Sequence, residues 1–292
     1  MNKKFAMKIV AAVTLTAMSS SVLAASSWVR NEGETMYMAD LQYSTASNYW
    51  NKAGTVMPLR DQPGNACTLN TTSLYNGVEY GYSYAYTLFA GVPLVNSTCG
   101  ASSASGFADL DLGVRGRLVP EENGKSWELK LMLPTGYNNQ NYMRVGYGQV
   151  GVEAGVHFGG NADPYSADPY EPGYAEASDS SLEYGAMLRY WAGPPAPQAL
   201  AYGKWSHSLP AQWTFGAKLE GDFALGTGRP EPINAVAFPR QPFHDVVKGN
   251  LEFKHGLGGG WVFSISPGMS FWGRNTTKAT TLSIGVHKIF GK

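Results

Sequence analysis

The sequence predicts an all-β protein, a transmembrane antiparallel up-and-down β-barrel of about 12 strands, and three observations support this fold class. Aliphatic and charged residues alternate with period 2, most clearly in "SGFADLDLGVRGRL" at 105–118. Turn-rich stretches recur roughly every 10–15 residues, as they do between antiparallel strands. Long and short connections alternate along the chain, which is typical of outer-membrane barrels.

The N-terminus, residues 1–24, is predicted to be a cleaved secretory signal peptide. Lys3, Lys4 and Lys8 form a basic region, an apolar stretch follows at 9–18, and Val22 and Ala24 fit the small-residue pattern before a cleavage site. The alternative is a membrane anchor, but the apolar stretch is shorter than the roughly 20 residues that a spanning helix needs. We therefore expect an exported barrel comprising residues 25–292.

Composition excludes several classes of protein. Without the three lysines of the signal peptide, 19 basic residues remain against 22 acidic ones, so nucleic acid is not an expected partner. Aromatic residues make up 13% and charged residues only 15% of the chain, unlike a disordered protein. No apolar run approaching 18 residues follows residue 24, but barrel strands need only about 9–11 alternating residues.

Twelve strands are predicted, and the connections between them assign the two ends of the barrel. The strands are expected at about 35–44, 74–83, 85–95, 106–119, 125–137, 148–159, 181–191, 199–208, 211–226, 245–256, 260–272 and 278–290. The long connections 45–73 and 227–244 would be extracellular, because such barrels have short periplasmic turns. The long stretch 160–181 is an exception, since it is predicted to be a loop at the periplasmic end. Residues 25–34 are judged too short for a substantial N-terminal plug.

Two solvents could explain the alternation. In a soluble sandwich the aliphatic faces would form the core and the charged faces would meet water. In a membrane barrel the aliphatic faces would meet lipid and the charged faces would line a water-filled lumen. The signal peptide, the loop pattern and the Tyr and Trp residues near strand ends favour the barrel. The candidate lumen-lining residues are then Asp40, Glu79, Asp109, Asp111, Arg115, Arg117, Glu128, Lys130, Glu153, Glu183, Arg189, Lys218, Glu220, Asp222, Lys248, Glu252 and Lys254.

The hairpin around "PEENGK" allows a more specific prediction. If Leu118 faces Trp127 across the two strands, Arg117 faces Glu128. Opposite charges at cross-strand neighbours stabilise a sheet by about 0.2–1 kcal/mol.

The two cysteines, Cys67 and Cys99, are expected to form a disulfide, because an even pair in an exported protein is first interpreted as a bond. The bond would tie the first extracellular loop to the second. The alternative is two unpaired thiols. Two cysteines are too few for a structural zinc site.

Catalytic and cofactor motifs are not evident. None of the five histidines has metal-ligand spacing from another, and neither G-x-S-x-G nor a phosphate-binding loop occurs. The "SHS" at 206–208 is the one local hydrolase candidate, and it is predicted near the periplasmic end, away from the outer leaflet. We expect no metal, no cofactor and no enzymatic activity.

Several segments resemble a known family. "VEYGYSYAYTLFAGVPLV", "SGFADLDLGVRGRL", "LKLMLPTGY", "GYGQVGVEAGVHFG" and the "GPP" at 193–195 are similar to the outer-membrane barrels of the "MetA-pathway of phenol degradation" family. The resemblance implies a barrel of about twelve strands that moves small hydrophobic or aromatic compounds. The chain ends two residues beyond Phe290, whereas such barrels usually end on the aromatic residue that the barrel-insertion machinery reads.

Three functions follow for testing. The first is passive passage of small-molecule solutes across the bacterial outer membrane, with outer-membrane lipid and the insertion machinery as partners. The second is a closed-lumen structural or surface barrel that acts through its extracellular loops. The third is an outer-membrane hydrolase, the least expected of the three.

Overall fold

The chain forms a closed antiparallel barrel of 12 strands in a computed structural model. The structure describes residues 27–61, 64–120, 122, 124–136, 143, 145–159, 180–193, 195–227 and 244–291. The predicted signal peptide, the connection 160–179 and most of the loop 227–244 lie outside these residues. No helix in the described part of the chain is long and apolar enough to cross a membrane.

The strands follow one another around the barrel in chain order. They are β1 (Thr35–Trp50), β2 (Val56–Pro58), β3 (Leu69–Ser83), β4 (Tyr86–Cys99), β5 (Ser102–Phe107), β6 (Leu110–Arg117), β7 (Lys125–Leu133), β8 (Gly151–Gly159), β9 (Ser180–Trp191), β10 (Gln198–Leu209), β11 (Trp213–Ala224), β12 (Asp245–Gly258), β13 (Trp261–Arg274) and β14 (Thr276–Phe290). The short β2 pairs with the far end of β1, and β5 continues the pairing of β6 with β4. The barrel closes where β14 pairs with β1.

All twelve predicted strands are present. Each has an apolar face for the outer surface of the barrel and a polar face for the lumen. The first strand is longer than predicted and runs to Trp50. Its second half, "STASNYW", lacks aliphatic alternation, but it pairs with the Thr-rich start of β14 through a β-bulge between Thr45 and Asn48. Backbone pairing with β14 therefore extends β1 to Trp50, although this part of its sequence has no apolar alternation.

The register predicted for the β6–β7 hairpin is wrong by two residues. Arg115, not Arg117, lies opposite Glu128, and Arg117 lies opposite Ser126. The connection is shorter than assumed, because the Leu118 N–H donates to the Lys125 carbonyl, 2.9 Å away. A buried ion pair therefore still crosses this hairpin, with a different arginine.

The outer surface of the barrel is apolar. Leu112, Leu129, Val152, Leu188, Leu219 and Ile284 are each more than a third exposed, and aromatic side chains such as Tyr86, Trp213 and Trp261 lie near strand ends. A closed barrel with an aliphatic exterior and aromatic ends matches the lipid environment of the bacterial outer membrane. Both ends of the described chain lie at the end of the barrel that carries the β3–β4, β6–β7, β10–β11 and β12–β13 turns, which we take as periplasmic.

The predicted disulfide is present. Cys67 and Cys99 are bonded, with Cα atoms 5.3 Å apart and a sequence separation of 32. Cys67 lies in the first extracellular loop, just before β3, and Cys99 ends β4 at the same end of the barrel. The bond therefore ties this loop to the barrel rim.

Candidate functional site: the barrel lumen

The predicted lumen-lining residues are mostly withdrawn from the outer surface. Those that the structure buries are Asp40, Glu79, Asp111, Arg115, Glu128, Lys130, Glu153, Arg189, Glu220, Asp222 and Lys254. Those that are partly exposed are Asp109, Arg117, Glu183, Lys218, Lys248 and Glu252. That they line a solute path stays a prediction.

The first ion-pair cluster lies on the β3–β7 wall at its periplasmic half. Glu79 of β3 lies between two arginines, 3.0 Å from Arg30 and 3.1 Å from Arg115. Arg115 also contacts Glu128 of β7 at 3.1 Å. All four side chains are almost fully buried, and each charge has an opposite charge beside it, as buried charges require.

Arg30 belongs to a segment that enters the lumen, residues 27–34, here called the lumenal segment. Trp28 and Val29 of this segment are only 5% and 1% exposed. The Ser27 N–H donates to the Glu183 carboxylate of β9 at 2.7 Å, and the Arg30 N–H donates to Thr87 Oγ1 of β4 at 2.7 Å. The segment therefore packs against the β3–β9 side of the wall.

Residues 25–34 are predicted to be too short for a substantial plug, and that prediction did not foresee that residues 27–34 dock on one side of the lumen. Arg115 donates to the Trp28 carbonyl at 3.0 Å and so joins the segment to the wall cluster. A signal was present in the sequence: Arg30 and Glu34 stand in a segment without alternation, and they form an ion pair at 3.1 Å.

A second ion-pair cluster continues toward the extracellular end. Lys130 contacts Glu153 at 2.7 Å, and the Arg189 Nε donates to Glu153 at 2.7 Å. Arg189 lies 3.8 Å from Asp222, which lies 3.3 Å from His244. The chain of charges follows β7, β8, β9 and β11 in order and reaches the barrel mouth.

A polar relay connects the lumenal segment to β8 and β10. The Tyr202 hydroxyl lies 3.1 Å from His157 Nδ1 and donates to Glu183 at 3.2 Å. Glu183 in turn accepts the Ser27 N–H. His157 was not among the predicted lumen residues, because a lone histidine in an alternating strand carries no distinctive pattern.

The extracellular end narrows where residues 145–148 fold inward. Tyr147 stacks on Trp191 with ring centroids 4.1 Å apart, and Asp109 accepts the N–H groups of Tyr147 and Gly148 at 2.6 and 3.3 Å. A cavity of about 30 Å³ beneath Tyr147 is lined by Asp111 among others. Such a volume holds one or two water molecules.

The opposite side of the lumen differs in exposure. Four lysines and two glutamates of β10–β12 face inward there, and we call them the lysine strip: Lys204, Lys218, Lys248, Lys254, Glu220 and Glu252. Their side chains keep up to 25% of their surface exposed, whereas Arg115, Lys130 and Arg189 on the other wall keep at most 1%. The lysine strip is therefore more accessible to solvent than the ion-pair clusters of the other wall.

Two carboxylates organise the lysine strip. Glu220 lies 2.9 Å from both Lys218 and Lys248. Glu252 lies 2.7 Å from Lys204 and 3.2 Å from Lys254. Each glutamate is thus shared by two ammonium groups, so each triad carries one net positive charge.

No family model and no curated protein matches the chain, so the family resemblance found in the sequence stays a prediction. Among solved structures the barrel is similar to the COG4313 outer membrane channel from Pseudomonas putida F1, with 13% identity, coverage of 90% of this chain and 97% of that chain, and a TM-score of 0.68. The CymD monoaromatic hydrocarbon channel aligns at 10% identity over 90% of each chain, with a TM-score of 0.45. The KdgM porin aligns at 9% identity over 87% and 99%, with a TM-score of 0.48.

The comparison with the Pseudomonas barrel establishes the class of fold, a closed outer-membrane β-barrel. The other two alignments have TM-scores too low to add to this. At such identities a solute cannot be transferred from a neighbour to this chain, and function must be argued from the lumen itself.

Proposed function

We propose that this protein is an outer-membrane channel that passes small molecules by passive diffusion through its lumen, small hydrophobic or aromatic compounds among them, and that it is not an enzyme. The observation that carries the proposal is the asymmetry of the lumen. The lumenal segment packs on the β3–β9 side, and the lysine strip on β10–β12 keeps solvent access. A solute would therefore pass along the β10–β12 side of the lumen, beside the lysine strip.

The selectivity of such a path follows from its width and lining. The lumenal segment narrows the periplasmic half, and the stacked Tyr147 and Trp191 narrow the extracellular half. Only small solutes fit between them. Passage of small hydrophobic or aromatic compounds is proposed from the family that the sequence resembles.

A second candidate, a closed-lumen surface barrel, is favoured by the ion-pair clusters. Arg30, Glu79, Arg115 and Glu128 are packed as tightly as a protein core. If the lumenal segment stays docked and the space beside the lysine strip is too narrow for a solute, the barrel serves as a scaffold for its loops.

Planar-bilayer conductance separates the two candidates. The mature chain, residues 25–292, is folded in detergent, shown to be folded by its heat-shifted gel mobility, and added to a planar bilayer. Stepwise openings that are blocked by small but not by large neutral polymers are expected of a narrow channel. Folded protein that gives no openings would contradict the channel and leave the scaffold.

A further inference from the structure

We propose that the lysine strip is an anion track, so that the solutes of this channel are small organic carboxylates. The inference rests on the proposed channel function and adds the charge class of the solute. It depends on the net charge of the strip, its exposure and its continuity along the lumen.

The strip has an excess of positive charge. Its four lysines are balanced by only two glutamates. The inward-facing side chains on the neighbouring β13 and β14 that the structure describes are mainly neutral, for example Ser264, Ser266 and Ser283. The nearest further acid, Glu183 of β9, lies directly opposite Lys204 and accepts the Ser27 N–H and the Tyr202 hydroxyl. Asp222 of β11 lies 3.8 Å from Arg189 and 3.3 Å from His244. With Glu183 counted, the strip keeps one net positive charge.

One pair within the strip is unfavourable for stability alone. Lys204 and Lys218 lie directly opposite each other on β10 and β11, and like charges at cross-strand neighbours destabilise a sheet. Both lysines remain 14–17% exposed. Glu252 lies 2.7 Å from Lys204 and Glu220 lies 2.9 Å from Lys218, which offsets this repulsion. Two ammonium groups therefore stand side by side on a solvent-accessible wall, the arrangement that an anion-binding surface needs.

The lysines recur along the path of a solute. Lys248 lies opposite Glu220, Lys218 lies opposite Asn250, and Lys254 lies opposite Thr214. At about 3.3 Å per residue, the first of these levels is roughly 7 Å from the second and about 20 Å from the last. Because barrel strands tilt by about 35–45°, the longest of these distances is about 15 Å along the barrel axis. An anion can therefore move from one ammonium to the next over about half of the membrane thickness, which is about 30 Å.

The chemistry fits a carboxylate. Each ammonium has three N–H donors in rotatable geometry, and the internal carboxylates of Glu220 and Glu252 already show how such a group binds between two lysines. A solute carboxylate would use the same contacts in transit. Because several lysines would each bind the solute carboxylate weakly, the solute could leave the channel as well as enter it.

Reversal potentials in a KCl gradient test the charge preference. The wild-type channel is expected to pass chloride in preference to potassium. Lys218→Gln and Lys248→Gln should each lower the chloride-to-potassium permeability ratio about sevenfold, since a unit charge about 7 Å away in a water-like medium changes the energies of the anion and the cation by about RT each, in opposite directions. The control Lys278→Gln removes an exposed lysine of β14 and should leave the ratio unchanged, and Lys218→Arg should retain it.

Organic solutes test the chemical class. Sodium benzoate should reduce the chloride current of the wild type and do so less in Lys218→Gln, whereas benzyl alcohol should not. Folded channels without anion preference, or with a preference that neither substitution alters, would overturn the anion track but leave the channel function standing. Anion preference without competition by benzoate would overturn the assignment to carboxylates. A complete absence of conductance would contradict the channel function, and this inference with it.

Discussion

Docking of the lumenal segment depends on Arg30, and the substitution Arg30→Gln should release it. The guanidinium lies 3.0 Å from Glu79 and 3.1 Å from Glu34 and is 1% exposed. Removal of one partner of a buried ion pair costs about 3–5 kcal/mol when the remaining charge is left uncompensated. Glu79 keeps Arg115 at 3.1 Å, so we expect the lower end of this range. The docked fraction of the segment, relative to the released one, should fall by about two powers of ten at 1.36 kcal/mol per tenfold change.

Proteolysis reports this equilibrium directly. A glutamate-specific protease should cut the released segment after Glu32 or Glu34, and the loss of residues before β1 is measured by mass spectrometry. If opening and closing are fast, the cleavage rate follows the population of the released segment. Arg30→Gln should therefore be cut about a hundredfold faster than wild type, which corresponds to a loss of about 3 kcal/mol. The control Arg60→Gln lies in an exposed extracellular position and should behave as wild type. Equal cleavage of Arg30→Gln and wild type would refute the role of the buried pair.

Three further outcomes follow from other parts of the barrel. Cys67→Ser should lower the temperature at which the folded gel band disappears, since a disulfide closing about 32 residues contributes roughly 3–4 kcal/mol; an unchanged temperature would contradict this. The pKa of Asp61 is lowered mainly by the Ala101 N–H that its carboxylate accepts, so this tie stabilises the loop above about pH 4 and is lost as the pH falls below that range. Hydrogen exchange should show reduced protection of the Ala101 amide at low pH, and in Asp61→Asn also at pH 7. Leu219→Arg, midway along the lipid face of β11, should destabilise the barrel by about 2–4 kcal/mol, and Leu257→Arg, near the membrane edge, by at most about 1 kcal/mol. Similar losses of stability for the two variants in urea titrations would argue against the assigned membrane position.

The wall of the barrel could be predicted from the sequence because its signal is local. Each strand has a period-2 pattern that assigns its two faces, so Leu129 is outward and Glu128 is buried as the alternation requires. Register is a finer property, since it depends on the number of residues in a turn. The two-residue error at Arg115 and Glu128 came from that number alone.

The contents of the lumen could not be predicted in the same way. Arg30 meets Glu79 across 49 residues of sequence, and Ser27 meets Glu183 across 156. Glu79 and Glu183 follow the alternation of their strands, but Ser27 and Arg30 lie in a segment without a period, so no sequence pattern indicates which wall residues they meet. The inward fold of Tyr147 onto Trp191 is likewise a tertiary contact between a loop and a strand end.

The central claim, a solute path along the lysine strip, is tested most directly by chemical modification of an open channel. Lys218→Cys places a thiol on the strip, and Leu219→Cys places one on the adjacent outward position of the same strand. During a planar-bilayer recording, a negatively charged methanethiosulfonate reagent should reduce the current of the Lys218→Cys channel in steps and leave the Leu219→Cys channel unchanged. An unaltered current through Lys218→Cys channels, with modification of the thiol verified by mass spectrometry, would contradict the path proposed here.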